Sequence, residues 1–314
     1  MSDLSTSSAV PVLGTPILSV KPVVLRTPER GADLQVRVSA PASGGDLPIL
    51  VFAHGFGESM AAYDPLVDYW ASNGFVVVQP TFLDSRTLGL TPEDPRYPDI
   101  WRVRVRDVTR VLDDLDRILA AIPGLVERAD RARLAVAGHS WGGQTVGMLL
   151  GARVLGADGP DLTDARVKAG VLLATTGIAG DDLTGFAAQN FPFLRPDFTG
   201  LTVPTLVVAG DHDQSHLSTR GPDWFTDVYH HSPGAQGLLT LFGGDHSLGG
   251  IHGYNAADTT DENPARVALI RETTAAYLRS ALRVDDVAWK QARSALAADP
   301  DPIGRIDTKE VAAR

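Results

Sequence analysis

The sequence predicts an α/β protein whose mostly parallel sheet is covered by helices on both faces. Three observations lead there. Several continuous apolar runs end in glycine or turn residues, as strands buried on both faces do. Stretches with helical periodicity separate these runs, and strands alternating with helices specify parallel crossovers. An alternating, half-polar pair of strands precedes them all.

The elements follow in order. "VKPVVLRT" (20–27) and "LQVRVSAP" (34–41), separated by "PERGAD", read as an N-terminal antiparallel hairpin. "LPILVFAHG" (47–55) is a buried strand, a helix lies around 60–73, and "FVVVQP" (75–80) is the next buried strand. Residues 81–98 are rich in turn formers and long for a connection, which marks a functional loop or a local excursion. Pro98 opens a helix with Trp101, Val105, Val108, Leu112, Leu115, Leu119 and Ile122 on one stripe, broadened by Val111 and Ile118. That breadth favours a core-facing helix over a coiled coil. "ARLAVAGHS" (132–140) is a strand and "WGGQTVGMLLGARV" the helix after it. Three more strands are expected over 167–177, 202–213 and 237–247. A closing helix starts at Pro264, and a short helix near 286–297 ends the pattern. The 314 residues show no repeat or domain-scale linker, so the expected organisation is a mobile tail over 1–15 and one domain over 16–314.

Composition narrows the partners. The formal net charge of −10 disfavours nucleic acid and anionic membranes, which attract clustered Lys and Arg. With no cysteine, the chain has no disulfide framework, thiolate zinc site or cysteine nucleophile. No apolar run reaches the roughly 18 residues of a membrane span. The first twenty residues lack a basic n-region and contain Pro11 and Pro16, so they do not read as a signal peptide, and a cytoplasmic location is expected.

The chemistry starts at "VAGHSWGG" (136–143). Ser140 ends a predicted strand and precedes a helix, with Gly138 two residues before it and Gly142 two after. A chain that reverses within one residue strains the backbone at the serine, and side chains at −2 and +2 would collide. A serine nucleophile needs a base, an acid behind the base, and donors for an oxyanion. His246 in "FGGDHS" follows the last strand and is the candidate base. Asp213, closing "VVAGDHD", is the favoured acid; Asp211, Asp181 and Asp182 remain alternatives. Asp245 is adjacent to His246 and cannot easily fold back onto its ring. "AHGFG" (53–57) is a glycine turn after a buried strand, where the N–H groups of Phe56 and Trp141 would form an oxyanion hole. His54 and His139 are assigned to packing or hydrogen bonding. The cluster Asp211, His212, Asp213 lacks metal-ligand spacing, so neither a metal nor a cofactor is expected.

With "HGFG", "GHSWGG", "GDHD" and "GGDHS" in this order, the sequence resembles the α/β-hydrolase fold over roughly 20–283. It looks most like the branch of chlorophyllases, platelet-activating-factor acetylhydrolase-like and cutinase-like polyester hydrolases, and dienelactone hydrolase-like proteins. Dienelactone hydrolases proper use a cysteine nucleophile, and chlorophyllases usually carry a charged residue where this chain has Trp141. The resemblance implies a serine carboxylic-ester hydrolase working through an acyl-enzyme on a small-molecule ester. A thioesterase or acyltransferase could use the same triad, and a catalytically silent binding protein is the reading from another class. About 25 residues separate the strands near Gly177 and Thr202, enough for a flap (181–200) but not a large cap domain. An open pocket for an apolar acyl or aryl group is expected from Gly57, Phe82, Ile178 and Leu248, with Phe191, Phe193 and Phe198 either adding to it or packing the flap.

Overall fold

The computed structural model describes residues 14–91, 94–156, 161–253 and 259–309. Its elements begin with β1 (Ile17–Leu25), β2 (Leu34–Pro41), β3 (Leu47–Ala53), α1 (Asp64–Ser72) and β4 (Val76–Pro80). Next come α2 (Ile100–Asp113), α3 (Leu115–Leu119), α4 (Leu125–Arg128), β5 (Ala129–His139) and α5 (Trp141–Leu149). Then follow β6 (Arg153–Val154), β7 (Val167–Leu173), α6 (Gly185–Asn190) and β8 (Pro196–Asp197). The chain closes with β9 (Thr205–Gly210), α7 (Asp227–His231), β10 (Ala235–Leu241), α8 (Pro264–Ala281), α9 (Ala288–Ala298) and β11 (Gly304–Thr308).

Nine strands form one sheet in the order β1-β2-β4-β3-β5-β7-β9-β10-β11. Neighbours from β4 through β10 run parallel, while β2 against β4, β1 against β2 and β11 against β10 are antiparallel. This is an α/β-hydrolase fold with an antiparallel hairpin at its N-terminal edge. Every residue of β3, β4 and β9 is buried, as continuous apolar strands require when helices cover both faces. The edge strand differs: every position of β1 before Leu25 is exposed or half-exposed.

Four local expectations shift. The single helix expected from Pro98 is two, because Asp114 leaves the helical region (φ −100°, ψ 18°) between α2 and α3. The apolar stripe survives the break, since Leu115, Ile118 and Leu119 stay buried. The strands expected to reach 177 and 247 stop at Leu173 and Leu241, and their remainders become the loops at the sheet's C-terminal edge. The sequence reading missed β11, whose "GRIDT" has no apolar run; it pairs Gly304–Thr308 against Leu241–Gly237. Of the expected tail, residues 1–13 lie outside the described residues, and the Thr15 N–H donates to the Ser72 carbonyl at 2.9 Å. Among the described residues, no helix is long and apolar enough to cross a membrane.

Candidate active site

Ser140 stands between the last residue of β5 and the first of α5, at φ 54° and ψ −120°. A non-glycine residue in this region is strained, at a cost on the order of 1–3 kcal/mol, and persists only where its surroundings over-determine it. The surroundings do. The Ser140 N–H donates to the Leu173 carbonyl at 2.9 Å, and its own carbonyl accepts from Gln144 at 3.1 Å. A Cβ on Gly138 would lie 2.3 Å from the Gly142 backbone, and one on Gly142 would lie 2.0 Å from the Ala53 carbonyl oxygen. The two glycines therefore let α5 press against both its own strand and the end of β3.

Three loop ends then converge. Ser140 Oγ is 2.9 Å from His246 Nε2, and His246 Nδ1 is 3.1 and 3.0 Å from the two carboxylate oxygens of Asp213. Asp213 is fully buried, whereas the His246 side chain is 40% exposed, so the base is reachable from solvent while its acid is not. Burial raises the Asp213 carboxyl above the usual carboxylate range, with His246 opposing and Asp245 adding to the shift. The other acids serve elsewhere. Asp211 Oδ1 accepts the Gly243 N–H at 2.6 Å, and Asp245 Oδ2 accepts the Thr260 hydroxyl at 2.7 Å. Asp181 and Asp182 lie on a 3₁₀ turn of the flap, where the Asp182 carbonyl accepts the Thr219 N–H.

The turn after β3 closes by a Glu58 N–H to Gly55 carbonyl bond at 3.3 Å, with Gly57 at φ 77°. Trp141 is the first residue of α5, so its N–H has no acceptor within the helix. The Phe56 ring, 47% exposed, packs on the Trp141 ring at 4.8 Å between centroids.

Arg104 and Asp261 escaped the sequence reading, whereas His54 has the hydrogen-bonding and packing role expected of it. Arg104 on α2 is buried beneath the turn, donates to the His54 carbonyl and to Thr145 Oγ1 at 2.9 Å, and pairs with buried Asp84 at 2.6 Å. It ties the turn after β3 to the helix after Ser140. His54 is buried and its pKa is pushed down to about 3, by burial first and then by Arg104. Neutral, it accepts the Phe82 N–H at Nε2 (3.0 Å) and donates from Nδ1 to the Gly55 carbonyl at 2.6 Å. Asp261 accepts the N–H groups of both Asp245 and Gly249 at 2.9 Å, bracketing the loop that carries His246. No local pattern marks Asp261, and only a position on the helix's apolar face could have flagged Arg104.

Ser140 and His246 open onto a cavity of about 830 Å³. Its wall is polar: Glu58, Arg86, Asp211, His212, Gln214 and Asp245 contribute to it, with Phe56 the apolar exception beside Pro222. The expected apolar lining is corrected here. Phe82 is fully buried, wedged between the His54 ring at 4.7 Å and the Arg104 guanidinium at 4.1 Å. Leu248 is fully buried in the core with a left-handed backbone (φ 49°). Ile178 does not line the cavity; its N–H donates to Asp227 at 2.8 Å. Gly57 is covered by Arg86, whose N–H donates to the Gly57 carbonyl at 2.9 Å, so Arg86 lines the cavity in its place. Phe191 and Phe193 are buried edge-on against Trp141 at 5.1 and 5.5 Å, and Phe198 is buried as well, so all three pack the flap.

The chlorophyllase family model matches residues 14–163, a stretch that contains the turn after β3 and Ser140 but ends before Asp213 and His246. The match and the mostly parallel sheet together fit a chlorophyllase-like α/β-hydrolase, and they point to an ester hydrolase of that type. No curated protein sequence matches the chain.

Proposed function

We propose that this protein is a serine carboxylic-ester hydrolase that works through an acyl-enzyme. The observation that carries the reading is the hydrogen-bonded relay from Ser140 Oγ through the His246 ring to buried Asp213. In this reading His246 Nε2 takes the hydroxyl proton as Ser140 Oγ attacks the ester carbonyl. Asp213 holds the ring by Nδ1 and stabilises the imidazolium. The N–H groups of Phe56 and Trp141 receive the carbonyl oxygen as it becomes negative. His246 then gives the proton to the departing alcohol, and water repeats the sequence on the acyl-serine.

The cavity wall bears on the substrate. The departing alcohol leaves from the His246 side, where Asp211, His212, Gln214, Asp245 and Thr260 line the cavity. Those groups favour a hydrophilic alcohol portion, and the exposed Phe56 ring is left for the acyl group. The initial expectation of a mainly apolar pocket therefore narrows to one aromatic contact.

Ser140→Ala tests the reading on p-nitrophenyl acyl esters. The expected outcome is a loss of roughly 10³-fold or more in kcat with the fold retained. Full activity in that variant would overturn it.

A further inference from the structure

Behind the reacting groups runs a chain of hydrogen bonds that the acyl-transfer steps do not use. His139, immediately before Ser140, is buried, and its ring lies against those of Tyr63, His246 and His252, with centroids 5.7, 5.0 and 4.8 Å away. Its Nε2 is 2.9 Å from the His246 carbonyl oxygen, which can only accept, so Nε2 carries the hydrogen. Burial, with His252 and His246 adding, pushes the His139 pKa well below its ordinary value, and the ring is neutral. Nδ1 is therefore an acceptor, and the Tyr63 hydroxyl 2.9 Å away donates to it. The Tyr63 oxygen in turn accepts the Gly55 N–H at 3.0 Å. Every proton in the chain is assigned.

The two ends of this chain are informative. One is the Gly55 N–H, one residue before the Phe56 N–H on the turn proposed to hold the oxyanion. The other is the backbone of His246 itself. Tyr63 reaches between them from a left-handed backbone conformation (φ 69°), fixed by its N–H donating to the His252 carbonyl at 2.9 Å. Packing alone would ask for no hydroxyl here: Phe52 meets the ring at 4.8 Å, and the residue is fully buried. Gly55 completes the fit, since a Cβ there would lie 3.0 Å from the Tyr63 hydroxyl and 3.1 Å from His139 Nδ1.

We propose that Tyr63 and His139 are positioning residues that lock the oxyanion turn and the His246 backbone into one register around Ser140. The proposal rests on Ser140 and His246 being nucleophile and base. Tyr63→Phe removes one oxygen and keeps the ring, so it isolates the hydrogen bonds from the packing. On p-nitrophenyl esters it is expected to lower kcat about tenfold or more and leave KM within about twofold. His139→Gln retains an N–H for the His246 carbonyl and should keep more kcat than His139→Leu. Combining Tyr63→Phe with His139→Leu should cost less than the product of the single losses, because both break one chain. An unchanged kcat in Tyr63→Phe, equal losses in the two His139 variants, or multiplicative losses would each overturn the proposal. Thermal unfolding of each variant shows that the assayed chain is folded. Ser140→Ala separates the failures: if it is inactive while Tyr63→Phe is unimpaired, only the positioning role falls.

Discussion

Asp213 and Asp211 are two residues apart at the same strand end, yet they have different partners. Asp213 is buried and spans the His246 Nδ1 with both oxygens, while Asp211 braces the Gly243 N–H at the cavity edge. Replacing the first by asparagine should therefore lower kcat by about 10²–10⁴-fold, because the amide leaves His246 in the wrong tautomer. Asp211→Asn should stay within about tenfold of the parent. Equal losses in steady-state assays of the two variants would show that Asp213 is not the orienting acid. The convergence of Ser140, Asp213 and His246 was legible in the sequence because each follows an apolar strand at a glycine-containing turn. Tyr63 and Arg104 were not, because a buried polar residue is defined by partners far away in the chain. Phe82, Ile178 and Leu248 misled for a related reason: a place beyond a strand end does not say which way a side chain faces.

At the scale of elements, the contact between β3 and α5 sets the site. Gly142 lets the helix approach the Ala53 and His54 carbonyls, which brings the turn carrying Phe56 alongside Ser140. An alanine at 142 would meet rigid backbone rather than a side chain able to move. Gly142→Ala should destabilise the protein by at least about 3 kcal/mol or prevent its folding, as overpacking against backbone does. Chemical denaturation would check this, and a loss below about 1 kcal/mol would mean that the helix is free to shift. The glycine pattern made this junction readable, whereas the α2–α3 break at Asp114 and the polar strand β11 left no such mark. The sheet's parallel centre was readable because continuous apolar runs must be covered on both faces. Its final antiparallel strand follows from pairing with β10, which no local period encodes.

Across the whole molecule, buried ion pairs tie α2 to the segment after β4 and to the turn between β1 and β2. Arg104 pairs with Asp84, and Arg30 pairs with Asp107 at 2.9 Å, all four side chains being nearly inaccessible. Burial pushes the Asp107 carboxyl up to about 7, against the opposing pull of Arg30. An aspartate unfolds to an ordinary pKa near 3.9. Between about pH 4 and pH 7 the native chain thus binds this proton more tightly than the unfolded chain, and stability from this group is lost as pH rises through that window. The stability difference between the parent and Asp107→Asn should accordingly shrink on going from pH 4 to pH 7. Denaturant unfolding at several pH values measures it; a difference that grows with pH would reverse the assignment.

The proposed esterase role reduces to whether Ser140 is an activated nucleophile. Peptide mapping by mass spectrometry after treatment with a fluorophosphonate asks that question directly. One phosphonyl group per chain on the Ser140 peptide, with loss of esterase activity and no labelling in His246→Ala, is the predicted result. An unmodified Ser140, or activity that survives its full modification, would contradict it.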